Sequence, residues 1–201
     1  MHMELRDGTS VLIRPVVPDD KERLARGFRR LSSQSRLRRF GAAMSDLSRD
    51  RLRYLTEIDY ENHMAWLAVD PVSPERPALG VARFVRLQDE PGVAEAAVVV
   101  ADEYQGRGLG TLLLGVLGVG AVASGIRAFR AYVNTENRPM LEILRDLGGT
   151  VELEEPGMYR VDLELPEDPK DLPDTPTGRV FKAVARRVLP PLALLKRSVR
   201  G

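Results

Sequence analysis

The chain has 201 residues, 43% hydrophobic and 29% charged, with a formal net charge of +1. That is the size and mix of one soluble globular domain with an appendage, and it gives no electrostatic argument for a nucleic-acid partner. With no cysteine and only two histidines, disulfides, thiolate nucleophiles and cysteine-based zinc sites are excluded, and a histidine metal centre is not expected.

Met1-His2-Met3 is set aside as a cloning remnant, and the polar N-terminus carries no secretory signal. The longest apolar stretch, residues 109–123, is about 15 residues against the roughly 20 that span a bilayer. A cytoplasmic location is therefore expected. Residues 11–14 read as a short strand. Asp19 and Glu22 have the spacing of a capping box, which starts a helix running to residue 31. Residues 35–40 continue as an arginine-rich helical piece, and Ser48 caps a third helix with Leu52 and Leu55 on one face. Strands are expected over 64–70, 79–87 and 93–100, the last two forming a hairpin through 88–92. Prolines make 71–77 a loop.

The segment 108–124 is a helix that is apolar nearly all round, so it should be buried. Gly115, Gly118 and Gly120 each cost about 1 kcal/mol of helix propensity there, and close approach to the sheet is the expected gain. A strand over 128–133 and a helix over 137–147 follow, the helix stopped by Gly148-Gly149. Strands over 150–154 and 158–165 flank the turn dipeptide Pro156-Gly157. The domain is expected over 1–166, an acidic proline-rich linker over 167–176, and a basic amphipathic tail over 177–201. Pro190-Pro191 should break that tail into two helical pieces. Such a tail can lie on an anionic membrane, clamp a partner, or pack on the domain or a second subunit in a homodimer. Packing is the expectation.

Residues 98–110, VVVADEYQGRGLG, are a hydrophobic run, a glycine-spaced turn and the start of an apolar helix. A helix N-terminus presents unpaired N–H groups and the positive end of the dipole, and glycines let a phosphate approach the main chain. The phosphate loop of nucleoside triphosphatases fails here, because Gly110 is followed by Thr111 and Leu112 with no lysine. A dinucleotide G-x-G-x-x-G fails as well, because Thr111 and Leu113 occupy the positions where the third glycine would fall. What remains is Q-x-x-G-x-G on Gln105, Gly108 and Gly110, whose plain alternative is an ordinary strand–turn–helix connection. Within AEAAVVV, Glu95 is the one ionisable side chain between Gly92 and Asp102. A carboxylate buried among apolar neighbours gains the proton affinity a general base needs, whereas a rim carboxylate would simply face solvent.

The Q-x-x-G-x-G turn resembles the pyrophosphate-binding motif of the GNAT acyltransferase superfamily. Residues 31–40 (LSSQSRLRRF), 57–69 (EIDYENHMAWLAV), 94–114 and 136–149 (ENRPMLEILRDLGG) resemble the Pat-type bacterial protein lysine acetyltransferases, and the resemblance covers residues 4–165. It implies an α/β (α+β) GNAT fold: a central mixed, mostly antiparallel sheet, splayed at the cofactor site, with helices on both faces. It implies acetyl-CoA as co-substrate and an amine acceptor, in the first place a protein lysine. A small-molecule amine acetyltransferase and a non-catalytic CoA-binding sensor are the alternatives. By resemblance Glu95 takes the amine proton, Val98, Val99 and Val100 offer main-chain groups to the pantetheine arm and thioester oxygen, and Gln105, Gly106, Arg107, Gly108, Leu109, Gly110 and Thr111 hold the pyrophosphate. Arg107 is equally well a solvated side chain. Asn137 matches an asparagine that positions the CoA arm, although it can merely cap a helix. Where many relatives carry a tyrosine as general acid, this chain has Leu144, with Ile143 beside it. A thiol of pKa about 8.5 leaves as a tolerable thiolate that solvent can protonate. His63 reads as structural. Arg26, Arg29, Arg30, Arg36, Arg38 and Arg39 read as a solvated helix face, with an acidic acceptor or a CoA phosphate as the alternative. Nucleotide-sensing domains accompany many Pat-type enzymes, and regulation by cyclic nucleotide within this chain is not expected.

Overall fold

The computed structural model describes residues 1–40, 46–73 and 75–198. Its strands are β1 (His2–Glu4), β2 (Ser10–Pro15), β3 (His63–Val69), β4 (Gly80–Arg86), β5 (Val93–Val100), β6 (Ala128–Asn134), β7 (Thr150–Glu155) and β8 (Met158–Glu164). They form one sheet in the order β1-β2-β3-β4-β5-β6-β8-β7. Each neighbouring pair is antiparallel except β5 with β6. Helices α1 (Lys21–Arg30), α2 (Ser33–Phe40) and α3 (Arg49–Thr56) lie between β2 and β3 in the chain. Helix α4 (Leu109–Ala123) connects β5 to β6, α5 (Arg138–Asp146) precedes β7, and α6 (Pro176–Ser198) follows β8. The mixed, mostly antiparallel sheet expected from the sequence is thus present.

Side-chain alternation along the strands divides the interior into two cores. Leu24, Phe28, Leu31 and Leu55 pack on Ala65 and Leu67 on one face of the sheet. On the other, Leu113 and Leu117 of α4 join Met64, Trp66, Phe84, Ala96, Phe129 and Val161. Strand β3 therefore contributes to both cores.

Several expectations need correction. The segment set aside at the N-terminus is part of the sheet: β1 pairs with β2, with His2 opposite Leu12. The capping box of α1 does not form, because Pro18–Asp20 make a 3₁₀ turn and Asp20 points inward, fully buried. Its carboxylate accepts from both guanidinium nitrogens of Arg14 at 2.7 and 2.6 Å, from the Val17 N–H at 2.9 Å, and from Arg23. Desolvation pushes the Asp20 carboxyl up, and these bonds outweigh it and hold it below the usual carboxylate range. The Ser48 cap does form, its hydroxyl accepting from Arg51 N–H at 3.2 Å. Helix α6 runs unbroken through Pro190-Pro191. The carbonyls those prolines leave without donors belong to Arg186 and Arg187, exposed residues where water can serve instead.

Phe181, Val184 and Val188 of α6 are buried in the α4 core, so the first half of the tail is packed on the domain. This explains the glycines of α4, though not wholly as expected. A Cβ on Gly120 would lie 2.5 Å from Met64 Sδ, which is close approach to the sheet. A Cβ on Gly115 would lie 3.4 Å from Phe181, so this glycine faces α6 instead. Gly118 would meet nothing nearer than 3.8 Å. Among the described residues no helix is long and apolar enough to cross a membrane.

Gly118→Ala should therefore stabilise the fold by about 0.5–1 kcal/mol through helix propensity. Gly120→Ala should destabilise it by about 1–3 kcal/mol through overpacking against Met64. Urea unfolding of the two variants checks the opposite signs, and two shifts of one sign would refute the account of these glycines.

Candidate active site

Strands β5 and β6 pair only at Val93–Ala128, Ala94–Phe129 and Glu95–Arg130. Beyond Glu95 they part, β5 staying on β4 to Val100 and β6 staying on β8 to Asn134. The parity of the β4–β5 ladder decides which backbone groups this frees. Leu87 N–H donates to Val93 C=O and Ala101 N–H to Leu79 C=O, so odd positions of β5 bond to β4. The main-chain groups of Ala96, Val98 and Val100 face the opening instead. Val99 is a correction to the expected set: its N–H and C=O are turned to β4, and only its side chain borders the opening.

The gap is part of a cleft of about 550 Å³, within the range of small-molecule sites. Its walls include Glu95, Val98, Val99, Val100, Gln105, Gly106, Gly108, Gly110, Thr111 and Asn137. Most residues expected from the sequence are thus brought together. Arg107 and Leu109 are not in the wall. Arg107 pairs with Asp7 at 3.0 Å and lies over the Tyr104 ring, 5.2 Å from its centroid. Leu109 is 1% exposed, its side chain committed to the core.

The turn before α4 is built for an open helix end. Gly106 and Gly108 have φ of 73° and 89°, a region that L side chains rarely adopt. Gly108 occupies the N-cap position, no side chain caps the helix, and its first turn has no acid. The first intrahelical bond is Leu112 N–H to Gly108 C=O, so the N–H groups of Leu109, Gly110 and Thr111 precede the ladder. Arg6 N–H donates to Arg107 C=O at 3.1 Å and ties the β1–β2 turn to this loop.

Gln105 serves differently from a phosphate ligand. Its Nε2 donates to Val100 C=O at 3.1 Å, to Asp102 Oδ1 at 3.0 Å and to Ser35 Oγ at 3.3 Å. Asp102 also accepts from Ser32 N–H at 2.7 Å and from the Ser35 hydroxyl at 2.5 Å. Desolvation raises the Asp102 carboxyl and these hydrogen bonds outweigh it, leaving it below the ordinary carboxylate range. The result joins the start of α2 to the β5–α4 turn.

Glu95 lines the cleft but is exposed, contrary to the expected burial. The α1–α3 layer reaches Val99 on that face and stops short of Glu95, whose strand neighbours Val85 and Arg130 are half-buried. Asn137 stands at the N-cap of α5 without a capping bond from its side chain, which lines the cleft. Leu144 is 3% exposed and offers no hydroxyl, whereas Tyr104 and Tyr132 reach the wall from other elements. Sequence reasoning missed these two, along with Arg6, Ser35 and the α6 residues Pro176 and Thr177. Nothing in their local sequence marks them, since each joins the wall only through the fold.

Arg26, Arg29 and Arg30 bond outside the cleft, to Glu75 C=O, to Asp46 and Glu22, and to Glu103. Arg36 lies over Phe28. The side chains of Arg38 and Arg39 lie outside the described residues. His63 is structural as expected. Arg83 donates to its Nε2 at 2.9 Å and to Leu55 C=O at 3.2 Å, which leaves the ring neutral with its proton on Nδ1. Burial, then the Arg83 charge, push its pKa down to about 4 against an opposing pull from Asp59. An unfolded histidine takes its proton near pH 6.5, so native stability falls as pH drops from 6.5 through 4. Ring NMR should show a His63 midpoint near 4, and a midpoint near 6.5 would contradict the Arg83 contact.

An acetyltransferase (GNAT) domain description matches residues 10–150. The chain is 36% identical over 164 residues to Acetyltransferase Pat of Mycolicibacterium smegmatis, covering 82% of this chain and 48% of that protein. It thus spans about half the length of that relative. An acetyltransferase of Pseudomonas aeruginosa is 35% identical over 144 residues, covering 72% of this chain and 77% of that protein. Among solved structures, the GNAT domain of S. lividans PAT superposes with a TM-score of 0.75 at 29% identity, covering 82% of this chain and 96% of that one. A cAMP-binding acyltransferase from Mycobacterium smegmatis superposes with a TM-score of 0.62 at 31% identity, covering 94% and 55%.

Proposed function

The chain belongs to the GNAT acetyltransferase family, and from that premise we propose that it transfers an acetyl group from acetyl-CoA to a primary amine, with a protein lysine as acceptor. One observation carries the reading. The parted strands, the uncapped start of α4 and the carboxylate of Glu95 border one cleft. The residues fit the co-substrate. Open N–H groups of residues 109–111, at the positive end of α4, would hold the pyrophosphate. The main-chain groups of Val98 and Val100 that face the opening would hold the pantetheine amides and the thioester oxygen, and Asn137 would steady the arm. A likeness to solved structures that includes one with acetyl-CoA, yncA from Salmonella typhimurium at 17% identity, supports the fold alone.

Acetyl-CoA supplies an acyl group already activated as a thioester. An acceptor lysine of pKa about 10.4 is almost wholly protonated at neutral pH and must lose that proton to attack. Glu95 takes it, directly or through one water, before the freed nitrogen lone pair bonds to the acyl carbon, and the second N–H proton, lost as the amide forms, passes to solvent. The N–H of Val98 stabilises negative charge on the carbonyl oxygen as it develops, and that of Val100, roughly 7 Å further along the same edge, is left for a pantetheine carbonyl. The C–S bond breaks, and with Leu144 where a tyrosine would stand, the thiolate takes its proton from solvent. The exposure of Glu95 suits an acceptor presented on a protein surface, since the amine can reach it without entering an enclosed pocket.

Glu95→Gln should retain CoA binding by calorimetry and lose about 10²-fold or more in kcat at neutral pH against lysine-bearing protein acceptors. Unchanged turnover would remove the base assignment. Turnover confined to small amines would replace the protein acceptor with a small-molecule one, and CoA binding without turnover in the wild type would make the chain a sensor.

A further inference from the structure

Resting on the cleft's reading as a CoA site, we propose that Arg6, from the β1–β2 turn, is a second, side-chain ligand of the pyrophosphate. The residue lines the cleft, and its Cγ and Nε each lie 3.3 Å from where a Cβ on Gly108 would stand. Its side chain therefore covers the cap position of α4, and its own N–H fastens the turn from the other side through Arg107 C=O.

The charge balance at this point favours an anion. Arg6 is exposed to water, and a cation beside a helix N-terminus opposes the dipole. The first turn of α4 holds no acid and no capping side chain. Asp7, the neighbouring carboxylate, accepts from Thr9 N–H at 3.0 Å and pairs with Arg107 at 3.0 Å. Among the described residues no ion pair reaches Arg6. Open N–H groups, dipole and guanidinium thus converge on one face of the cleft, with no carboxylate paired to Arg6 among the described residues. Arg107, the arginine inside the motif, is held by Asp7 and the Tyr104 ring, so the cationic partner comes from the β1–β2 turn instead.

Placement over Gly108 assigns Arg6 to the pyrophosphate and not to the more distant 3′-phosphate of the adenosine. Titration calorimetry of the full chain and of Arg6→Gln, with CoA and with dephospho-CoA, separates these. Arg6→Gln should weaken both ligands alike, by about tenfold, as loss of a charge-assisted contact to phosphate implies. The unfolding midpoint of the ligand-free variant should be unchanged or higher, because a like charge has left the helix N-terminus. Equal affinity of variant and wild type would overturn the proposal while leaving the CoA site standing. So would a loss confined to CoA, or one accompanied by a lowered midpoint without ligand. A wild-type chain that binds neither ligand overturns the reading of the cleft itself.

Discussion

A strand in the middle of a sheet has two edges of hydrogen-bonding groups, and β5 satisfies only one of them along most of its length. Its pairing with β6 ends at Glu95–Arg130, while β6 continues on β8 as far as Asn134. Unpaired backbone groups in an interior are costly, so such an edge persists only where other groups or a ligand meet it. At Val100 the chain itself does so, through Gln105 Nε2 on the carbonyl. At Val98 the edge faces the cleft, where an extended amide-bearing ligand can complete the ladder.

The same divergence decides where α4 begins. Because α4 crosses from β5 to β6, the turn that launches it opens beside the gap, and the free N–H groups of its first turn face the cleft. The helix is held in place from both sides, by Met64 and Trp66 of the sheet against Gly120 and by Phe181 and Val184 of α6 against Gly115. Thr177 of α6 donates its hydroxyl to Asp146 at 2.8 Å, and Pro176 and Thr177 form part of the cleft wall. The C-terminal helix is therefore structural to the site.

Asp102 links the two sides of the proposed reaction. It gathers Ser32, Ser35 and Gln105, and so ties the start of α2 to the turn before α4. An acceptor pressing on α2 and a ligand resting at the α4 turn would both act on this carboxylate. Glu95 is left exposed because the helical cover on its face of the sheet ends at Val99.

From β2 to β8 the order of strands and helices was legible because it is local: period-2 and period-3.6 patterning, the Ser48 cap, and the glycines at 106, 108 and 148; β1 and the unbroken α6 were not read. So was the open α4 start, since positive φ at Gly106 and Gly108 follows from residue type. What no local signal carries is which distant groups meet. Asp19 looked like the cap, whereas its neighbour Asp20 became the buried partner of Arg14, and Arg107 looked like a phosphate ligand and was taken by Asp7, a hundred positions away. Arg6 reached the turn before α4 only because β1 pairs at the sheet edge. The parity that turns Val98 and Val100, but not Val99, to the opening depends on register with β4, and register is a property of two strands together.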